Sequence, residues 1–249
     1  MRKRIRAWMA FMLLTGIFSG AIWILGGRYS AYGARADVYS QDEAMPMMAE
    51  SAAVTVILDP GHGGEDGGAV SASGSAEKSL NLSIALVLGD MLRANGVNVI
   101  YTRTTDEGLY DGAAVGNRKM TDLKNRLAVR RSEPDAVFVS IHMNTFSDPR
   151  CRGMQLFYSP NDPSSAQLAE SMRDVNRRYL QTDNTRVCKA ADSSIYLLDR
   201  AEGTAVLAEC GFLSNPEEAG KLMTAAYREQ IAAVLCVGIL NDIKENCVP

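Results

Sequence analysis

Histidine is almost missing from this chain: His62 and His142 are the two copies in 249 residues. Cysteine is sparse, and Cys151, Cys188, Cys210, Cys236 and Cys247 include no C-x-x-C pair. That spacing excludes a zinc ribbon and a thioredoxin-type redox pair. The odd count leaves room for one or two disulfides in an exported protein but assigns none. Cys210, inside an apolar run, reads as a small buried hydrophobe. Excess positive charge is also lacking, since 26 Lys and Arg stand against 29 Asp and Glu for a net charge of −3. With no basic field, and with Tyr and Phe scattered, no nucleic-acid partner is expected. Gly-Lys-Ser/Thr occurs nowhere, which excludes a Walker-type phosphate loop. There is no internal repeat and no low-complexity tract. The composition is that of an ordinary α/β domain.

Charge is absent from residues 7–25, directly after the basic run "MRKRIR" of residues 1–6. An apolar stretch of about 20 residues is long enough to cross a bilayer as a helix. The basic flank should stay in the cytoplasm, which places the rest outside the cytoplasm. Two readings compete. One is an uncleaved signal-anchor that tethers the protein to the membrane. The other is a signal peptide cleaved after Ala34-Arg35-Ala36, which would release it. Residues 26–53 are small and polar, without a sustained period, and read as a linker. A catalytic domain is expected over residues 54–245.

What that region does contain is short β-branched apolar runs alternating with segments of helical period. "AVTVILD", "VNVIYTR", "DAVFVSIHMN", "GMQLFYS" and "TAVLAECGF" read as strands. Helices are expected over 79–95, over 121–132 with Thr121 or Asp122 as N-cap, over 164–180, and over 227–243, with another opening at Asn215-Pro216. This alternation predicts a single three-layer α/β domain: a central, largely parallel (mixed) sheet flanked by helices. Residues 106–120 are glycine-rich and read either as an ordinary surface loop or as a gate over a groove.

Three polar clusters follow three of the apolar runs: residues 59–64, 140–144 and 209–215. In open α/β sheets such strand ends are where ligands bind. The first cluster lies in "ILDPGHGGEDGGA", with five glycines, three acids and one histidine. Gly61-x-Gly63-x-x is followed by Asp66 instead of the third glycine of a dinucleotide fingerprint, and an acidic loop repels phosphate. A plain turn would explain the glycines but not His62, nor its echo at His142 after another core strand. Two imidazoles and a carboxylate make a catalytic zinc set with one position left open. Glu77, ordered by the helix it precedes, is the candidate third ligand. Glu65 and Asp66 are rivals that would need the loop to fold back sharply. Glu209, at an apolar strand end, reads as a general base with a raised pKa, or as a buried acid paired with Arg103 or Arg126. Arg103 and Arg126 also read as supports for loops and carboxylates. Asn144 and Asn215 read as buried turn residues or as binders of substrate amides.

Taken in series, "ILDPGHGGEDGGA", "EKSLNLSIA", "VIYTRTTD", "DLKNRLAVRR", "VSIHMN" and "LAECGFLSNPEEA" resemble the signatures of zinc-dependent N-acetylmuramoyl-L-alanine amidases with a catalytic domain of the Amidase_3 type. The resemblance covers residues 54–243 in order and spacing. It implies Zn2+ on His62, Glu77 and His142, with Glu209 as the catalytic glutamate. The reaction implied is hydrolysis of the amide between N-acetylmuramic acid and L-alanine in peptidoglycan. The loop before "NRKMTDLKNR" and the short N-terminal segment are most similar to the germination-specific members of endospore-formers. Those act on spore cortex and, with a deacetylase, allow muramic δ-lactam to form. Expected partners are peptidoglycan strands with stem peptides, the membrane through the N-terminal segment, and an accessory wall protein or deacetylase. The alternatives are a vegetative autolysin, a zinc peptidase of another bond, and a non-catalytic peptidoglycan-binding module.

Overall fold

The computed structural model describes residues 54–110 and 117–246. The anchor, the A-x-A site, the linker and Cys247 therefore lie outside the described residues.

The chain runs β1 (Thr55–Pro60), α1 (Glu77–Ala94), β2 (Asn98–Tyr101), α2 (Arg118–Ser132), β3 (Val137–Asn144), β4 (Gln155–Tyr158), α3 (Pro163–Tyr179), β5 (Lys189–Ala190), α4 (Tyr196–Arg200), β6 (Ala205–Phe212), α5 (Pro216–Leu222) and α6 (Ala225–Asn246). Six strands form one sheet in the order β2-β1-β3-β6-β4-β5. β2, β1, β3 and β6 are parallel, β4 is antiparallel to β6, and β5 is parallel to β4. The expected mixed α/β domain is the one that forms. β5 and α4 are not legible in the sequence, because two and five residues are too short to show a period.

Side chains alternate across each strand, so one apolar run feeds two cores. Val56, Leu58, Val139, Ile141, Val206 and Ala208 pack with α1, α3 and α6. Ile57, Phe138, Ala205 and Leu207 pack with Leu127 of α2 and Leu197 and Leu198 of α4. The cysteines described, Cys151, Cys188, Cys210 and Cys236, are all free, and Cys210 is fully buried.

α2 starts earlier than its sequence suggests. Its N-cap is Asn117, whose side chain accepts from Met120 N at 3.1 Å, and not Thr121 or Asp122. Asp122 is taken by tertiary contacts instead: its carboxylate accepts from Arg126 Nε and from Leu109 N, each at 2.6 Å. Arg126 is 1% exposed and reaches from α2 to the end of β1, where Nη1 donates to Asp59 Oδ1 at 2.6 Å. Thr102 and Ser140 also donate to the Asp59 carboxylate, both at 2.7 Å. Burial works against the charged form of Asp59, yet Arg126 and these hydroxyls together hold its carboxyl below the ordinary value.

A depressed folded-state pKa adds stability above the unfolded value, and that stability is lost as pH falls through the folded value. Arg126→Met should therefore cost about 3–5 kcal/mol at neutral pH by stranding a buried carboxylate. The gap from the parent should narrow as pH approaches about 4, where carboxyl groups begin to protonate. Urea unfolding of both proteins across this range checks it. A gap that is constant with pH would show that Asp59 is not the group stranded.

A candidate metal centre at the sheet edge

β1, β3 and β6 are adjacent and parallel, so the three polar clusters emerge at one edge of the sheet. Asp59 pairs in register with Ser140, and His142 with Glu209. After Pro60 the chain turns through Gly61, whose N donates to Ile141 O at 3.0 Å. His62 follows with φ 62°, the one non-glycine residue of positive φ among those described. That left-handed conformation is sterically costly, by roughly 1–3 kcal/mol, and must be imposed by its surroundings. Two arginines impose it. Arg126 Nη2 donates to His62 O at 2.7 Å, and Arg103 donates to Pro60 O at 2.9 Å and Gly61 O at 3.0 Å. Arg103 and Arg126 are thus loop supports, and neither pairs with Glu209.

The loop does fold back sharply: Gly63 N donates to Asp66 O at 3.0 Å and Asp66 N to Gly63 O at 3.2 Å. The fold-back sets Asp66 Oδ2 2.9 Å from His62 Nδ1, which turns His62 Nε2 toward Glu77 Oε2 at 3.3 Å. Glu65 points away, to Arg118. Lys78 ties the loop down through Gly64 O and Asp106, both at 2.7 Å. Asp106 also accepts from Gly64 N at 3.0 Å, so the start of the 106–120 stretch buttresses the loop. Residues 111–116 lie outside the described residues.

Glu77 is the first residue of α1, where the helix dipole favours a carboxylate. It is 3% exposed. Oε1 accepts from Met143 N at 2.9 Å and Asn81 Nδ2 at 3.2 Å, and faces His142 Nδ1 at 2.9 Å; Oε2 accepts from Ala69 N at 2.8 Å. Burial opposes its charge, but His142 and His62 outweigh burial and hold Glu77 far below the usual carboxylate range. For His62, burial is likewise outweighed by Glu77 and Asp66, and its pKa is raised. Negative charge is thus concentrated between two imidazoles, which suits a cation that displaces their protons.

The two rings lie 4.9 Å apart, near perpendicular at 76°. His62, Glu77 and His142 each offer a ligand atom, all within 4.8 Å of one another. The glycines make this approach possible. A Cβ on Gly61 would sit 2.2 Å from the His142 ring, and one on Gly68, at φ 68°, would sit 2.6 Å from Glu77 Oε2. They clear space for ligand side chains and cradle no phosphate.

Glu209 stands beside this cluster. Its Oε2 is buried and finds no hydrogen-bond partner among the described residues. Burial pushes its pKa up to about 7, with Glu77 adding and His142 and His62 partly offsetting. Asn215 is structural: its Oδ1 caps α5 by accepting from Glu218 N at 2.9 Å, and its Nδ2 donates to Pro149 O at 2.8 Å. Asn81, four residues beyond Glu77 on the same helix face, and the role of Asp66 as partner to His62 were missed in the sequence. Helical i,i+4 spacing was the signal available for Asn81.

The family model described as N-acetylmuramoyl-L-alanine amidase (Amidase_3) matches residues 56–241. A germination-specific N-acetylmuramoyl-L-alanine amidase of Bacillus subtilis is 32% identical over 251 residues, covering 100% of this chain and 99% of its own. The Clostridioides difficile CwlD amidase, solved in complex with the GerS lipoprotein, superposes with a TM-score of 0.74 at 35% identity, over 77% of this chain and 99% of that one. The amidase AmiA of Escherichia coli is 27% identical over 230 residues, 75% of each chain. With its sheet-edge cluster inside the matched segment, the chain belongs to the N-acetylmuramoyl-L-alanine amidase family.

Proposed function

We propose that this amidase uses zinc held by His62, Glu77 and His142, with Glu209 as general base, to cleave the bond between the muramic acid lactyl group and L-alanine in spore-cortex peptidoglycan. The observation that carries the chemistry is Glu209, whose Oε2 is buried and partnerless among the described residues, beside three converging ligand side chains. Two imidazoles and one carboxylate are a donor set that zinc takes with a position left open. When bound, zinc supplies a Lewis acid for the carbonyl and lowers the pKa of a water. Asp66 fixes the His62 tautomer through Nδ1, leaving Nε2 free to ligate. Beside a bound cation the Glu209 carboxylate would be held ionised, ready to accept a proton. Its carboxylate takes the proton of the attacking water and returns it to the departing L-alanine amine. The strained loop, locked by Arg103 and Arg126, keeps these groups in place before substrate arrives.

End-to-end similarity to a germination-specific relative supports the cortex as substrate. Muramic δ-lactam would follow through a deacetylase acting on the stripped muramic acid. In this reading the N-terminal segment holds the enzyme at the outer face of a membrane. An accessory lipoprotein, of the kind seen with the Clostridioides difficile relative, is a further partner.

Elemental analysis of the purified protein, beside mass spectrometry of digested cortex, tests this reading. One zinc per chain, with free lactyl groups and L-alanine N-termini, is the expected result. Zinc with cleavage inside the stem peptide would overturn the bond assignment. No zinc after reconstitution would overturn the ligand set.

A further inference from the structure

A polar cleft of about 1220 Å³ opens at the same sheet edge, bounded by the loop after β3, the segment between α3 and β5, and the starts of α5 and α6. Gln155, on its wall, is the register partner of Glu209 across β4 and β6. The wall of the cleft thus reaches the strand next to the candidate base, while Glu209, His62, Glu77 and His142 do not themselves line it. Most of its cations are already neutralised: Arg150 by Asp148 at 2.7 Å, Arg152 by Asp183 at 2.6 Å and Lys221 by Glu217 at 2.7 Å.

Lys189 and Arg186 form no ion pair among the described residues, and of the two Arg186 is the one held in place. Its guanidinium carbon lies 4.5 Å from the centre of the Phe212 ring, and Nε donates to Arg152 O at 2.8 Å. These contacts fix the plane of the fork, while its two Nη groups donate to nothing among the described residues. The nearby acid Glu218 does not use them, because its carboxylate accepts from Gly153 N at 2.9 and 3.0 Å and from Phe212 N at 2.8 Å. Phe212 follows Glu209 by three residues on β6, roughly 10 Å at ~3.3 Å per residue. An extended peptide covers that span in two to three residues. A fixed guanidinium edge with free Nη groups is suited to a carboxylate.

We propose that this cleft holds the stem peptide beyond the scissile amide, with Arg186 receiving a free carboxylate on the residue that follows L-alanine. The proposal rests on the amidase reading above and deepens it. The cleft then selects peptides that carry a free carboxylate one residue past L-alanine, and Arg186 acts in specificity, with no part in bond breaking.

The test compares the parent, Arg186→Ala and Arg186→Lys on two disaccharide–tetrapeptides that differ only in amidation of that carboxylate. For the parent, amidation should lower kcat/KM by about 10- to 100-fold, mostly through KM, as expected for one charge-assisted pair. In Arg186→Ala the free-carboxylate substrate should fall to the level of the amidated one, and amidation should then have little further effect. Arg186→Lys should keep part of the discrimination. An indifferent parent would overturn the proposal without any variant having to fold. Equal losses on both substrates in Arg186→Ala would also overturn it and would mark the cleft as structural or as a face for another protein. A parent that cleaves neither substrate at the lactyl–alanine bond would refute the amidase reading itself.

Discussion

Glu209→Gln should lower kcat by about 10²- to 10⁴-fold, the usual loss when a general base is removed, while the zinc content stays that of the parent. Glutamine keeps the size of the side chain and its place on β6, so its register with Gln155 and His142 should persist. What it cannot do is accept the proton of the attacking water. Glu209 lies outside the three-residue cluster, so its loss should leave the ligand atoms where they are. KM should change little, because a transferable proton contributes to the transition state and not to substrate binding. Steady-state kinetics on a soluble muropeptide, with metal analysis of the same sample, decides it. A variant within tenfold of the parent would remove Glu209 from the mechanism. A variant that had lost its zinc would recast it as a ligand or a structural support.

His142→Ala should abolish activity and zinc binding together, and His62→Ala should do the same. In the proposed site each supplies one of three donors, and two remaining donors would not hold the ion against water at ordinary dilution. Removing His142 also strips Glu77 of its partner at 2.9 Å, leaving a buried carboxylate with less opposing charge. Asp66→Asn offers a graded control. It leaves all three donors but weakens the partner of His62 Nδ1, and should reduce zinc affinity by about 10- to 100-fold. Competition with a chelator and residual activity give both readings. Full zinc occupancy in either histidine variant would refute the ligand set. Equal losses in Asp66→Asn and His142→Ala would place Asp66 among the ligands.

The two cases rest on different kinds of information. His62 and His142 stand out in the sequence because they are the two histidines of the chain and each ends a core run. Glu209 stands out because a carboxylate at the end of "TAVLA" must be partly desolvated. Arg103 and Arg126 were readable as supports or as partners of Glu209, since nothing in their spacing says which acceptors they hold. Asp66 and Arg186 act through a reversal of the chain or through contacts distant in sequence, and no local pattern announces them; Asn117 caps α2 by a local contact that Thr121 and Asp122, as equally good cap residues, obscured. Arg186, between Thr185 and Val187, looks like any solvated residue until Phe212 is seen beneath it.

The sequence by itself determined the parallel core, because β-branched runs that alternate with helical periods can bury both faces only as a sheet between helices. It narrowed the candidate donors too, to two histidines and the few acids that flank the glycine-rich loop and open the next helix. Only the tertiary structure decided how those donors meet. The left-handed turn at His62, the fold-back that brings Asp66 to its ring and the clearance at Gly61 and Gly68 depend on Arg126 and Arg103 arriving from other elements. That Glu209 Oε2 has no partner among the described residues was likewise decided there, because a pairing depends on where every neighbouring guanidinium has gone, and both candidate arginines are spent on the loop.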